Sequence, residues 1–281
     1  MLDEHLAAIG RRAVAPAPLR PVLASALSSR GKRVRGLLLL AAGAACGARP
    51  ENLLDSAAAI EMIHTSSLIL DDLPSMDDAE LRRGQPTLHT VFGEDLAILA
   101  SIALLNHSYG MVARSHAMAR PRRWSLQQLI QRLVDAVGWD GTIGGQSVDL
   151  HSEASALDFP TLEFIHSRKT GALFVAAAAI GAMLANSNEA TLCRFEVFAK
   201  NLGLAFQITD DVLDVTADAE QLGKDVGKDV DRLTFVKLAG LDGARKLSEE
   251  LVETSLASIA SLGPAAQPLR DLALTVRDRV R

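Results

Sequence analysis

Aromatic residues are scarce in this chain: phenylalanine, tyrosine and tryptophan together make up 4% of its 281 residues, and tyrosine occurs once. A core so poor in rings has to rest on close-packed aliphatic side chains. Cysteine is scarcer still. Cys46 and Cys193 stand alone, each within an apolar helical pattern, so their spacing offers neither a disulfide framework nor a thiolate metal site. Both are expected to be small core residues in a reducing compartment. Basic charge is not in excess either. The net charge of -5 and a pI near 5.8 argue against a nucleic-acid binder, which shows a basic face. The most apolar window, Gly171 to Ala185, falls short of the roughly 20 residues that a membrane span requires. The opening residues, MLDEHLAAIGRR, carry acids early and lack the apolar run of a secretory signal. Together these absences predict a soluble, cytoplasmic protein with no stable membrane insertion.

What is present is alanine and leucine, the strong helix formers, within an apolar fraction of 48%. Helical periodicity recurs almost everywhere, and no stretch alternates like a strand. Leu53, Ala57, Ile60, His64, Ser67 and Asp71 step by four and three, which places them on one helix face. Further helical patterns run through about 94–118, 125–150, 160–185, 190–216 and 242–262. Breaks fall at Pro16–Pro21, Arg82–Pro86, Pro121, Pro160 and Leu262–Pro264, where Gly and Pro cluster. No linker divides the chain. The expectation is an all-α protein, one domain over 1–281, folded as a single large bundle of ten or more helices.

Two aspartate-rich strings carry the chemistry. The first is Asp71-Asp72-Leu73-Pro74-Ser75-Met76-Asp77-Asp78, at the end of the helix just described; the second is Asp210-Asp211-Val212-Leu213-Asp214. In the second, Asp210 and Asp214 are helical neighbours, and Gln207 precedes them on the same face. In the first, Asp71 and Asp77 are too far apart in phase for one straight helix. Pro74 prevents regular continuation and lets Asp77 swing back. Two like charges about 4 Å apart cost roughly 4 kcal/mol at an effective dielectric near 20, and six carboxylates on apolar helices multiply that cost. A shared divalent cation resolves the conflict, and all-oxygen ligands suit Mg²⁺, which combines one or two carboxylates with water and substrate phosphates. One such string alone is equally well a helix terminus or a solvated face; two, each preceded by apolar residues at core spacing, are not.

An anionic ligand calls for cations nearby. Gly31-Lys32-Arg33-Val34-Arg35 precedes an apolar helix, whose N-terminus favours anions. Arg82-Arg83-Gly84 follows the first aspartate string, and Lys169-Thr170-Gly171 sits inside a very apolar stretch. His64 points along the same face as Asp71, two turns earlier, and so into the same cleft.

On these residues the chain resembles the trans-isoprenyl diphosphate synthases (polyprenyl synthetases), from Gly31 onwards. The motifs that match are GKRVR, DDLPSMDDAELRRGQPTLH, GGQSVD, HSRKTG, FQITDDVLDV and GKDVGKD, in the family's order. Within the family, EMIHTSSLILDDLPSMDDAELRRG is most similar to bacterial geranylgeranyl diphosphate synthases. The resemblance implies a helical bundle of the isoprenoid synthase type with a central active-site cavity, and a homodimer. It implies that Asp71, Asp72 and Asp77 bind Mg²⁺ from one side of an allylic diphosphate, and Asp210, Asp211 and Asp214 from the other, three ions being held with diphosphate bound. Arg82, Lys169, Gln207 and Lys224 would contact the allylic diphosphate. Lys32, Arg35, His64 and Arg83 would hold isopentenyl diphosphate. Thr170 would lie close to the reacting carbons, so that Asp71, Asp72, Lys169, Thr170, Gln207 and Asp210 form the catalytic set. Gln146 and Asp149 match a motif that supports the pocket. Gly36 stands where the family commonly has Pro, and Arg232 where it has Lys.

The implied reaction is head-to-tail, all-trans addition of isopentenyl diphosphate to an allylic primer of C5 to C15. Bulky residues four or five positions before the first Asp stop elongation early in this family. Here those positions hold Ser67 and Ser66, both small, and the expected product is geranylgeranyl diphosphate (C20), with farnesyl diphosphate (C15) as the alternative. A non-catalytic subunit of a heteromeric synthase is the reading from another class.

Overall fold

The computed structural model describes residues 1–119, 123–152, 158–216 and 234–279. Its regular structure is helical apart from a two-residue hairpin in which β1 (Leu81–Arg82) pairs antiparallel with β2 (Gln85–Pro86). In chain order the helices are α1 (Leu2–Arg12), α2 (Leu19–Ser28), α3 (Val34–Ala45), α4 (Leu54–Asp71), α5 (Leu88–Phe92), α6 (Glu94–Met118) and α7 (Leu126–Val137). They continue with α8 (Thr142–His151), α9 (Phe159–His166), α10 (Ala172–Leu184), α11 (Glu189–Thr216), α12 (Phe235–Ser258) and α13 (Gln267–Asp278). The all-α expectation holds.

The centre of the bundle is made by α3, α4, α10 and α11. Ala57, Ala58, Ala59, Ile60, Met62 and Ile63 of α4 are buried, so that helix is enclosed all round. The same is true of α10, where every residue from Ala176 to Leu184 is buried. Alanine-rich helices pack closely, and glycine brings them closer still. A Cβ at Gly181 would fall 2.2 Å from the carbonyl oxygen of Leu39, so α3 and α10 meet there backbone to backbone. The scarce aromatics are spent inside: Phe174, Phe195, Phe198 and Phe235 are fully buried, each contributing about 1.5–3 kcal/mol by burial.

Boundaries follow local chemistry. Ser125 starts α7 with a capping box shared with Gln128, and Asp158 caps α9 by accepting the Thr161 N–H at 2.9 Å, with Pro160 in the first turn. The pattern read through 125–150 is in fact two helices, α7 and α8, because Gly138 and Gly141 interrupt it. The pattern read through 160–185 is broken by a π-turn at Ser167–Gly171.

One expectation is corrected and one is extended. Cys193 is exposed and so is not the core residue the pattern predicted, whereas Cys46 is half-buried and packs against the core. The apolar window at 171–185 is too short for a membrane, but the stretches Pro50–Asp71 and Glu94–Met118 are long and apolar enough by length and composition. The first is the central helix α4 with its lead-in turn. The second, α6, leaves Ile98, Leu99 and Ile102 open on its outer side.

Candidate active site

The face that steps from Leu53 to Asp71 opens gradually. Leu53, Ala57 and Ile60 are buried, whereas His64, Ser67 and Asp71 are half-exposed, so the face forms one wall of a cleft with its floor near Ile60. Helix α4 ends at Asp71, and the following turn folds back as Pro74 requires. The Asp77 N–H donates to the Asp71 carbonyl at 2.9 Å, and the Ala79 N–H to that of Asp72 at 3.2 Å. Asp77 is thereby returned to the end of the helix it would otherwise have left.

The first two aspartates of the string are each steered by a neighbour. Asp72 is 5% exposed and receives both Nε (2.7 Å) and Nη2 of Arg82, which the hairpin projects across the cleft. Asp71 accepts from Gln146 Nε2 at 2.9 Å. Gln146 lies on α8 one turn before Asp149, and Asp149 pairs with Lys169 Nζ at 2.7 Å. The GGQSVD motif therefore holds an aspartate with one residue and an ammonium with the other. Gly145 makes this possible: a Cβ there would lie 2.4 Å from the Lys169 backbone nitrogen, so only glycine lets α8 approach the π-turn.

On the opposite wall, Thr170 donates to Gln207 Oε1 at 3.0 Å, and Gln207 Nε2 donates to Asp211 Oδ1 at 3.1 Å. The other Asp211 oxygen accepts the Phe235 N–H at 3.1 Å, in the first turn of α12. Asp211 thus anchors a helix start as well as belonging to the second string. Asp210 accepts from Arg279 Nη2 at 2.6 Å. Asp214 is exposed near the end of α11. Lys224, with Arg232 and the GKDVGKD motif, lies outside the described residues.

Electrostatics show how tightly these groups are packed. Burial pushes the Asp71 carboxyl up to about 6; Lys169 and Arg82 oppose the shift, and Asp77 and Asp72 add to it. Burial also takes Asp211 to about 6, against the hydrogen bonds from Gln207 and Phe235. Asp72 is raised as well, again chiefly by burial. His64 is held neutral, well below the ordinary imidazole range, by burial and then by Arg35, Arg83, Arg82 and Arg33. Arg35 is 9% exposed, stacks over Phe174 at 4.9 Å, and is lowered to about 10 by desolvation while Glu61 and Asp210 support its charge. Arg83 takes a left-handed backbone (φ 55°) and donates to the Arg30 carbonyl at 2.8 Å, which brings the hairpin to the loop before α3. Lys32 is exposed on that loop.

The donors on the two walls suit hard cations. The carboxylates of Asp71, Asp72, Asp77, Asp210 and Asp214 offer oxygen only, and Gln146 Oε1 is buried without a hydrogen-bond partner among the described residues. No three His, Cys, Asp or Glu side chains close into a ready ligand cluster among the described residues. Oxygen donors of this kind fit Mg²⁺, which takes one or two carboxylates and fills its shell with water and phosphate oxygens.

Ser66 and Ser67 separate. Ser67 lies half-open on the cleft face, its hydroxyl donating to the His64 carbonyl at 2.9 Å. Ser66 is 4% exposed, and its carbonyl accepts the Ser101 hydroxyl of α6 at 2.9 Å. Three charged residues to which the sequence assigned no role also converge here: Arg33, turned inward at 8% exposure; Glu61, at 3%; and Arg279, from α13's end. For Glu61 the signal was a lone acid on an apolar helix three residues before His64. Arg279 carried none.

An all-helical bundle whose cleft joins two aspartate strings to buried arginines is the architecture of an isoprenoid-type synthase. The chain belongs to the polyprenyl synthetase family, whose profile matches residues 16–259, and it is a prenyltransferase. It is 44% identical over 246 residues to a geranylgeranyl diphosphate synthase of Cyanophora paradoxa, covering 86% of this chain and 81% of that one. Among solved structures it resembles a geranyltransferase from Legionella pneumophila with a TM-score of 0.87 and 30% identity, over 99% of this chain and 93% of that one. A geranyltransferase from Helicobacter pylori, complexed with magnesium and isoprenyl diphosphate, is similar with a TM-score of 0.83 at 30% identity, over 99% and 94%.

Proposed function

We propose that this protein is a Mg²⁺-dependent geranylgeranyl diphosphate synthase, adding isopentenyl diphosphate to an allylic diphosphate. The observation that carries the reading is that both carboxylate strings lie within reach of the same set of cations: Arg82 binds Asp72, Lys169 acts on Asp71, and Arg35 is supported by Asp210. Asp71, Asp72, Asp77, Asp210 and Asp214 would hold Mg²⁺, which would supply neutralising charge for the leaving diphosphate. Arg82 and Lys169 add fixed positive charge beside the same group, so the allylic C–O bond breaks to a carbocation and diphosphate. Arg35, Lys32, Arg83 and neutral His64 hold the diphosphate of the second substrate, and its double bond forms the new C–C bond. Loss of a proton to the departed diphosphate completes the condensation. The Thr170 hydroxyl donates to Gln207 Oε1, and the oxygen dipoles of these two side chains would stabilise a cation beside them. The open face at Ser67 leaves room for a tail beyond C15.

A homodimer belongs to the same proposal. The outer side of α6 carries Ile98, Leu99 and Ile102, at 38%, 53% and 57% exposure, a stripe one helix turn wide that a second copy would cover.

The test is product chain length from purified protein given isopentenyl diphosphate, Mg²⁺ and each primer (C5, C10, C15) in turn. A dominant C20 product supports the reading; a C15 product keeps the chemistry and moves the floor; no product removes it.

A further inference from the structure

Three arginines crowd the mouth of the proposed second-substrate site, and two of them are desolvated: Arg33 and Arg35 are 8% and 9% exposed. Arg83 joins them and lowers Arg35 further. Like charges held this close repel one another by several kcal/mol at low effective dielectric. Such a cluster stays ordered without a ligand only if the protein supplies an anion. It supplies Glu61, on α4, one turn before His64 and 3% exposed.

Glu61 does two things at once. Its Oε1 accepts the Gly36 N–H at 2.7 Å, one of the unpaired amides in the first turn of α3, where a carboxylate is favoured. Its Oε2 lies 3.8 Å from Arg33 Nη1, and its charge supports both Arg35 and Arg83. Arg33 is further tied by Nε to Asp3 of α1 at 2.7 Å and by Nη2 to the Ser29 carbonyl, in a left-handed backbone (φ 50°) unusual for a non-glycine residue. Gly36 is what admits this arrangement. A Cβ there would meet Glu61 Cγ at 3.0 Å and Leu2 Cδ2 at 2.6 Å, and a proline would lack the donor. Arg33 is tied to Asp3, Glu61 and Ser29, whereas Arg35 Nε is buried without a hydrogen-bond partner among the described residues.

We infer that Glu61 is a positioning residue for the diphosphate cradle: it pins the start of α3 and the loop 31–35, so that Arg35 and Lys32 present to the diphosphate of the homoallylic substrate. The inference rests on the proposed function, which places that diphosphate among Lys32, Arg35, His64 and Arg83.

The experiment is steady-state kinetics of Glu61→Ala, Glu61→Gln and Arg35→Ala, varying each substrate separately, with thermal melts to verify folding. Glu61→Ala is expected to raise KM for isopentenyl diphosphate about tenfold, the loss of one buried charge-assisted hydrogen bond. The KM for the allylic substrate and kcat should stay within about threefold of wild type. Glu61→Gln keeps an acceptor for the Gly36 N–H, so it should recover at least half of that loss on a logarithmic scale. If Glu61→Ala does not fold, the glutamine variant decides alone, by a rise confined to the KM for isopentenyl diphosphate. Equal changes in both KM values and kcat, or none in either variant, overturn the inference while an effect of Arg35→Ala preserves the site reading. If Arg35→Ala leaves the KM for isopentenyl diphosphate unmoved, the site reading itself falls, and the role of Glu61 with it.

Discussion

Arg279 donates from Nη2 to Asp210 Oδ1 at 2.6 Å, although 69 residues separate the two. Its guanidinium also lies over the Phe206 ring, 5.0 Å from the centroid, and its Nη1 is buried without a hydrogen-bond partner among the described residues. A cation of the protein itself therefore rests on a carboxylate that the proposed function gives to a metal. A divalent ion arriving at Asp210 has to displace it. Arg279→Leu is expected to tighten Mn²⁺ binding about two- to fivefold in the presence of inorganic diphosphate, the range of a partly exposed ion pair. Electron paramagnetic resonance of free Mn²⁺ reads this directly, and weaker binding in the variant would contradict it.

Asp71 ends α4 and Asp210 lies on α11, and they are steered by unrelated residues, Gln146 and Arg279. Alanine at either position should lower kcat by on the order of 10²–10³, comparable to removing one preorganised charge-stabilising group. Circular dichroism should show the helical content unchanged, because both side chains lie at the cleft and not in the core.

The pH response of the metal-free fold follows from Asp71. Its folded pKa, about 6, lies above the ordinary carboxyl value, so the folded state holds a proton that the unfolded state releases. Ionisation of Asp71 therefore costs nothing below about pH 4 and its full penalty above about pH 6. Asp71→Asn should melt with wild type at pH 4 and several degrees higher at pH 7.5 without metal. Adding Mg²⁺ with inorganic diphosphate should erase that advantage, since wild type alone gains the ligand. Melts that differ equally at both pH values would contradict the shift.

Ser67 lies on the cleft face between His64 and Asp71, above buried Ile60 and Ile63. Ser67→Phe fills that space and should move the dominant product from C20 to C15 with turnover of the first condensation kept within about tenfold. Ser66 is a poorer place for the change. Its carbonyl holds Ser101 of α6, so a large ring there has first to push α4 away from α6.

The sequence made α4 legible because a period of 3.6 repeats over eighteen residues and ends at a proline-containing turn. The return of Asp77 was legible for the same reason, since Pro74 forbids the alternative. The separation of Ser66 from Ser67 was not, because it depends on which neighbour helix each meets. Arg33 shows the limit most clearly. Its position in GKRVR puts it with Lys32 and Arg35, but Asp3, thirty residues away, draws it inward. Cys193 sits in an apolar pattern yet emerges on the surface, because α11 is long enough to expose one side of its first turns. Arg279 could not be read at all: a single arginine carries no periodicity or motif, and only the packing of α13 against α11 delivers it to Asp210.

The π-turn at Ser167–Gly171 gives the helix one residue more than a regular winding needs. Such an extra residue is a phase shifter. Removing it would let α9 run into α10 without interruption, a change that favours the backbone. Every side chain upstream would then turn by about 100° relative to those downstream. Lys169 would lose Asp149, and Thr170 would lose Gln207. The smoothest helix this segment could form is thus one that no longer faces its own cleft, and single-residue deletions between 167 and 171 should yield stable protein that has lost its aim.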